Sequence, residues 1–459
     1  MERLKRFLLA GVAVLVSWLA TTPTLAEPEI KIVPEATAAA RTRQQQQQLR
    51  QVRPETYDLD RYPVTDDNTD RWRNILWTTA LVEPQEAYVA EALAGILSLT
   101  VQPQLSSDQQ RVVEMAMQVG TQLYLSNPAL YAPVEEQFLQ TIEQSRQPKW
   151  VAMALSALVQ SEIVPEQLQQ LRDRVHQRFP NWTRDAHLYP TLWEIAIRNK
   201  PPNMPPLEDL LNWTIAPGQP QLYVLCQPDR GMLCRTILKD ARGEFVRQSG
   251  RLWSVPLLLR SLHAGLAWNF TRGETPQGIY RIEGTNPPEM KFFRAFGSFP
   301  LVKLFVPYEA GVEQFLPGRS GRLVGGLAAY KTLLPPSWRN YFPIQQSYWA
   351  GKAGRSLFRI HGSGESTTFF SNSRRFPESS GWNPTIGCLS AAEVYDDSGK
   401  LQQADMPKIL NVLKTARHLP EQANDTLDIS GYLIVIEVMD ASAAPIPLKE
   451  VEDAIAKRP

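Results

Sequence analysis

An excess of charge is missing from this chain: 48 basic residues face 47 acidic ones, for a formal net charge of +1. With no basic surplus to neutralise phosphates, nucleic acid is not an expected partner. Beyond the first 26 residues there is also no apolar run near the ~20 residues that a membrane-crossing helix needs. Val255 to Leu259 and Tyr432 to Val438 are short and bounded by polar residues. The marks of a disordered, collagenous or multi-span membrane chain are absent too. Hydrophobic residues make up 43%, charged 21% and aromatic 9% of 459 residues, which describes a folded globular protein of two to three domains at ~150 residues each. The 37 prolines, well above the ~5% average, disfavour long uninterrupted helices. Cysteine is scarce, and its count of three is odd, so at least one thiol needs an explanation.

What is present begins with a basic Met1–Arg6, an apolar Phe7–Ala20, and Thr24 and Ala26 at the positions a signal peptidase reads. Residues 1–26 therefore read as a secretory signal, too short in its apolar part to span a bilayer. The mature chain is expected in the periplasm or cell wall, without a membrane span. Thiols outside the cytoplasm tend to pair. Cys226 and Cys234 flank Pro228-Asp229-Arg230-Gly231 between two β-prone runs. With Gly231 as the left-handed residue of a three-residue loop they face each other across a hairpin, either as a cross-strand disulfide or as two reduced core cysteines. Cys388 is left unpaired in both cases, which makes it a candidate nucleophile.

Residues 27–67 are rich in Ala, Gln, Arg and Pro, with a run at Gln44–Gln48, and read as a flexible linker. From 68 to 205 the apolar pattern turns helical: Val112, Met115, Ala116, Val119 and Leu123, then Val134, Phe138, Leu139 and Ile142, recur at three to four residues. Five to seven short helices follow, paired at about 35–40 residues in the manner of an α-solenoid. His176 and His187 there are expected to be solvated residues. A proline-rich connector, Lys200–Pro206, then marks a boundary, and short β-like runs fill 206–440, ahead of a tail over 441–459. The expected architecture is therefore α+β and multidomain, an all-α helical domain followed by a mostly β domain.

The chemistry concentrates in the second domain. Arg359-Ile360-His361-Gly362 follows a β-prone run, and Thr385-Ile386-Gly387-Cys388-Leu389-Ser390 lies about 27 residues later. A cysteine needs a neighbouring base to become a thiolate at neutral pH, and histidine suits that task. A glycine before a nucleophile lets backbone amides turn toward a developing oxyanion. Upstream, Thr275-Pro276-Gln277-Gly278-Ile279-Tyr280-Arg281-Ile282 is a turn feeding a strand. His263 is expected to be a packing residue and His418 a helix C-terminal one. Asp396, Asp397 and Asp405 lack the alternating spacing of a calcium loop and read as turn and cap residues.

Those three fragments in that order, Thr-Pro-x-Gly-x-aromatic-x-Ile, His-Gly and Thr-x-Gly-Cys, resemble the L,D-transpeptidase catalytic domain (YkuD family) over about residues 220–440. The resemblance implies a mostly β, sandwich-like domain acting on peptidoglycan stem peptides, with no metal and no organic cofactor. By motif, Cys388 is the implied nucleophile and His361 its base. Gly387 and Cys388 are the implied oxyanion donors, Thr385 supports the turn, and Gly362 lets the strand end close beside the thiol. Members usually carry Arg or Asn where Ser390 stands, so the substrate-binding set becomes Gly362, Thr385, Ser390, Arg374, Arg375 and Trp382, with Arg359 as a further candidate for the stem carboxylates. The long segment between His361 and Cys388, carrying Phe369, Phe370, Phe376 and Trp382, resembles a lid or substrate loop. The implied reaction is attack on the third residue of a tetrapeptide stem, release of D-Ala, and resolution by an amine or by water. The helical domain would position the enzyme on the wall or on a partner protein.

Overall fold

A computed structural model describes residues 32–161, 163–198, 200–287, 296–363, 381–417, 429–439 and 441–457. The signal segment, Phe369, Phe370, Arg374, Arg375, Phe376 and His418 lie outside the described residues.

The Gln-rich stretch is helical. Ala, Arg and Gln are strong helix formers, and they build α1 (Ala38–Leu49), whose N-cap Thr37 accepts from the Ala40 N–H at 3.3 Å. The expected linker is thus folded from Ile32 onward. Val33 N–H donates to Gly399 O at 2.8 Å, Arg41 pairs with Asp397 at 3.2 Å, and Gln48 accepts from Thr78 Oγ1 at 2.6 Å. Seven helices follow: α2 (Thr69–Val82), α3 (Ala87–Leu97), α4 (Ser107–Ser126), α5 (Ala132–Gln144), α6 (Pro148–Gln160), α7 (Pro165–Arg178) and α8 (Leu188–Ile197). Their apolar stripes share one core in which Trp72, Leu76, Ala116, Leu123, Phe138 and Leu155 are buried. Helix α4 starts on a capping box between Ser106 and Gln109. His176 stacks on Trp182, whereas His187 stacks on Phe270 and is held neutral, its pKa lowered to about 4 by burial. The expectation of a solvated His187 is therefore corrected.

After α9 (Leu207–Asn212) come β1 (Gln221–Cys226), β2 (Cys234–Lys239), β3 (Arg247–Gln248), β4 (Arg251–Leu252), β5 (Val255–Leu258), β6 (Gly278–Asn286) and β7 (Leu301–Phe305). They are followed by β8 (Phe358–Gly362), β9 (Leu389–Ala391), β10 (Glu393–Tyr395), β11 (Leu401–Ala404) and β12 (Ser430–Glu437). Eight of these strands close a barrel in the order β1-β12-β6-β7-β8-β9-β5-β2, so the β-rich region is present but is a closed barrel where a sandwich-like domain was expected. The β1–β12 and β8–β9 pairs are parallel and the rest antiparallel. Leu222, Val224, Ile360, Leu389, Leu433 and Val435 fill the interior. Tyr223, Leu225, Ile279, Tyr432 and Ile434 face a second, aromatic-rich layer with Tyr330, Trp338 and Phe342. The tail expected after 441 instead carries a helix, Leu448–Ala456, whose Val451 is buried in that second layer.

The β1–β2 register sets Leu225 opposite Arg235, which brings Cys226 to Cys234, and they are joined by a disulfide. Gly231 is not among the residues with positive φ; Asp229 shapes the loop by accepting the Gly231 N–H at 2.7 Å.

The connection from β5 to β6 ties the two regions together. Its Leu262, Leu266 and Phe270 are buried in the helical core, and His263 Nδ1 lies 2.8 Å from Gln122 Oε1 on α4. From Ile32 onward the chain is accordingly one compact unit.

Candidate functional site

Strand alternation decides which side chains reach the site. Phe358 and Ile360 of β8, like Leu389 and Ala391 of β9, point into the barrel; Arg359, His361, Cys388 and Ser390 take the opposite face. The parallel register sets Ile360 against Leu389 and His361 against Ser390. Arg359 thus stands beside Cys388, and His361 lies one pleat further along the same face.

Cys388 borders a cavity of about 420 Å³ lined by Arg272, Arg355, Arg359, Phe296, Leu357 and Ile386, among others. No acidic side chain is among the described residues that line it. Cys388 is buried, at 7% exposure, and its thiol donates to Leu357 O at 3.8 Å. Leu357 is itself left-handed (φ 64°) and 66% exposed, and its N–H is held by Glu309 Oε1 at 2.9 Å. Burial pushes the Cys388 thiol up. The Arg359 N–H, then the Arg359 and Arg355 charges, pull it back down, while Glu309 opposes them.

His361 is buried, with Nδ1 2.6 Å from Gly362 O and its ring edge-on to Phe296. A proton on Nδ1 that bonds this carbonyl leaves Nε2 with the lone pair a general base uses. Burial lowers its pKa to about 4, so the imidazole is neutral at pH 7.

The turn before Cys388 is tightly specified. Gly387 has φ 113°, and a Cβ there would lie 2.2 Å from Arg355 Nη2, so only glycine fits. Thr275 Oγ1 donates to Gly387 O at 3.0 Å, Thr385 Oγ1 donates to Cys388 O at 2.7 Å, and Thr385 N–H donates to Arg260 O at 2.9 Å. Thr385 thus supports the turn.

Other expected roles change. The Gly387 N–H, expected to face an oxyanion, instead donates to Thr385 Oγ1 at 3.2 Å. Gly362 makes room for a carboxylate: a Cβ there would lie 1.8 Å from Glu393 Oε2. Ser390 is fully buried, with Oγ 3.1 Å from Ser363 Oγ, because Ser363 and Gly381 cover that stretch of the face. It is a structural residue and not a substrate contact. Trp382 is half-buried, its Nε1 has no partner among the described residues, and it does not line the cavity. Asp396 accepts from the Ser398 and Lys400 N–H groups in a turn. Among the described residues no group of three His, Cys, Asp or Glu is arranged to hold a metal ion.

Arg355 was not legible beforehand. It is the buried guanidinium behind the Gly387 turn, donating to Trp268 O, to Glu274 O at 2.7 Å and to Gly273 O at 3.0 Å. Its partners are backbone carbonyls more than 80 residues away in sequence, a pattern no local motif signals. Among the described residues no helix is long and apolar enough to cross a membrane. The chain matches no family model, no curated protein and no solved structure.

Proposed function

We propose that this protein is an exported cysteine acyltransferase of peptidoglycan, an L,D-transpeptidase that works through a Cys388 thioester. The observation that carries the reading is a free cysteine and a neutral, buried histidine on one face of the parallel β8–β9 pair, the cysteine at a cationic cavity. The motif resemblance supplies the substrate class. The reaction starts when the thiol leaves Leu357 O and its proton passes to His361 Nε2. The sulfur then attacks the carbonyl of the third stem residue, forming an S–C bond. The C–N bond to the terminal D-Ala breaks, and the departing amine takes the proton from His361. An amine of a second stem attacks the thioester carbonyl; the C–N bond of the 3→3 cross-link forms, the C–S bond breaks, and the amine's proton passes through His361 to the departing sulfur. If water attacks instead, the protein is an L,D-carboxypeptidase.

A second reading, a wall-binding protein without turnover, is favoured by the thiol's contact with Leu357 and its low exposure. Intact mass decides between them. Wild type and Cys388→Ala are incubated with purified disaccharide-tetrapeptide, and released products are followed by chromatography. A wild-type adduct equal to the stem minus D-Ala, absent from the variant, is expected; dimeric product then identifies the transpeptidase and free tripeptide the carboxypeptidase. A folded wild type with no adduct and no D-Ala release overturns the enzyme reading.

A further inference from the structure

Two arginines approach the Cys388 sulfur, and neither has an ion-pair partner among the described residues. Arg355 sits behind the nucleophile turn, its three donated hydrogen bonds ending on neutral carbonyls and its guanidinium carbon 4.6 Å from the Phe358 ring centroid. It is so close that a Cβ on Gly387, the residue before the cysteine, would overlap it. Arg359 lines the cavity on the other side. Its guanidinium donates to the Phe358 carbonyl at 2.6 Å. Glu309 acts on Arg359 and Glu274 on Arg355 without forming an ion pair among the described residues, so two desolvated cations remain a costly arrangement, relieved when a negative charge forms between them. Deprotonation of Cys388 creates that charge. His361 has no such arrangement. Its Nδ1 bonds a neutral carbonyl, no carboxylate faces the ring in a described contact, and burial disfavours an imidazolium.

We propose that Arg355 and Arg359 are the counter-charge of the Cys388 thiolate, so that the two arginines, and not a protonated His361, set how readily the nucleophile ionises. The Arg359 guanidinium acts on the sulfur across the cavity they share, and that of Arg355 acts from behind the Gly387 turn. His361 moves the proton but does not hold the charge. The other charged or titratable groups around the sulfur are Glu309, whose carboxylate opposes ionisation, the buried Tyr280, Arg272 in the cavity lining, and Glu274, which acts on Arg355. The inference rests on Cys388 being the nucleophile, but it needs no stem peptide.

The test is the pH dependence of Cys388 alkylation by iodoacetamide, in which the S–C bond forms, iodide leaves and the thiol proton goes to His361 or buffer. Rates are measured from pH 5 to 10 for wild type, Arg359→Gln, Arg359→Lys, Arg355→Gln, Arg355→Lys and His361→Gln, each checked for folding by circular dichroism. Arg359→Gln is expected to raise the midpoint by about one pH unit, about a tenfold slower reaction at pH 7. Arg359→Lys restores most of it, and the Arg355 pair behaves alike. His361→Gln moves the midpoint less than Arg359→Gln does. A folded Arg359→Gln with an unmoved midpoint, or a larger shift in His361→Gln, overturns the proposal; if Arg355→Gln fails to fold, the Arg359 variants decide. Arginine-dependent alkylation without D-Ala release overturns the transpeptidase reading alone, and D-Ala release with arginine-independent alkylation overturns this one alone.

Discussion

In the barrel, β1 and β12 are covered on both faces. Leu222 and Val224 face the interior, while Tyr223, Tyr432 and Ile434 pack under Tyr330, Trp338 and Phe342. On β8 and β9 the interior face is the same, but the outer face carries Arg359, His361 and Cys388 beside a cavity. One sheet thus serves two ends. Where a second apolar layer covers it, both faces are packed, and where that layer gives way the same alternation presents polar side chains to a cavity. The helical region joins this contrast through the β5–β6 connection, whose Phe270 lies in the helical core while its Gly273 and Thr275 brace the turn before Cys388.

Breaking the chemical side should have the largest effect: Cys388→Ala is expected to reduce acyl transfer at least about 1,000-fold, measured by D-Ala release, with the melting temperature little changed. Phe270→Ala probes the join. Its fully buried ring should cost about 3–5 kcal/mol in denaturant unfolding, and Cys388 alkylation should also slow; unchanged alkylation would separate helical core from site. Gly387→Ala is expected to cost about 1–3 kcal/mol because it combines a left-handed φ with overlap on Arg355. The control Gly243→Ala, left-handed at φ 85° but with open space around it, should cost less and leave alkylation untouched. Thr275→Val removes one buried bond to Gly387 O, worth about 1 kcal/mol, and sharpens the comparison if alkylation falls more than stability does. The smallest effect concerns pH. His361 must be neutral to accept a proton, and with its pKa lowered to about 4 the acid limb of kcat/KM should lie near pH 4. A limb near 6.5, the ordinary imidazole value, would mean that burial does not depress His361 in the working protein.

Periodicity made the helical region legible, since Val112, Ala116, Val119 and Leu123 are buried as their spacing implies. The apolar run Tyr432 to Val438 became the buried strand β12, and motif order singled out His361 and Cys388, which the β8–β9 register sets on one face. Motif order did not say what covers that face, which is why Ser390 was read as a substrate contact although Ser363 lies on it. Composition misled over residues 27–67: a low apolar content suggested a spacer, but Ala and Gln favour helix and Arg41 found Asp397 about 356 residues away. Arg355 was invisible for the same reason. The partners of a buried arginine are chosen by the closed barrel, and no neighbour in sequence announces them.

The place of β12 between β1 and β6 also orders events in time. Synthesis runs from the N-terminus, so β1 and β6 wait for their shared neighbour until residue 437 has emerged. The α2–α8 helices pack mainly against neighbours close in sequence and need no such delay. Until the last strand arrives, the edges of β1 and β6 are open to pairing with another chain. A chain cut short before residue 430 would therefore keep its helices and present two sticky edges, whatever the state of its nucleophile.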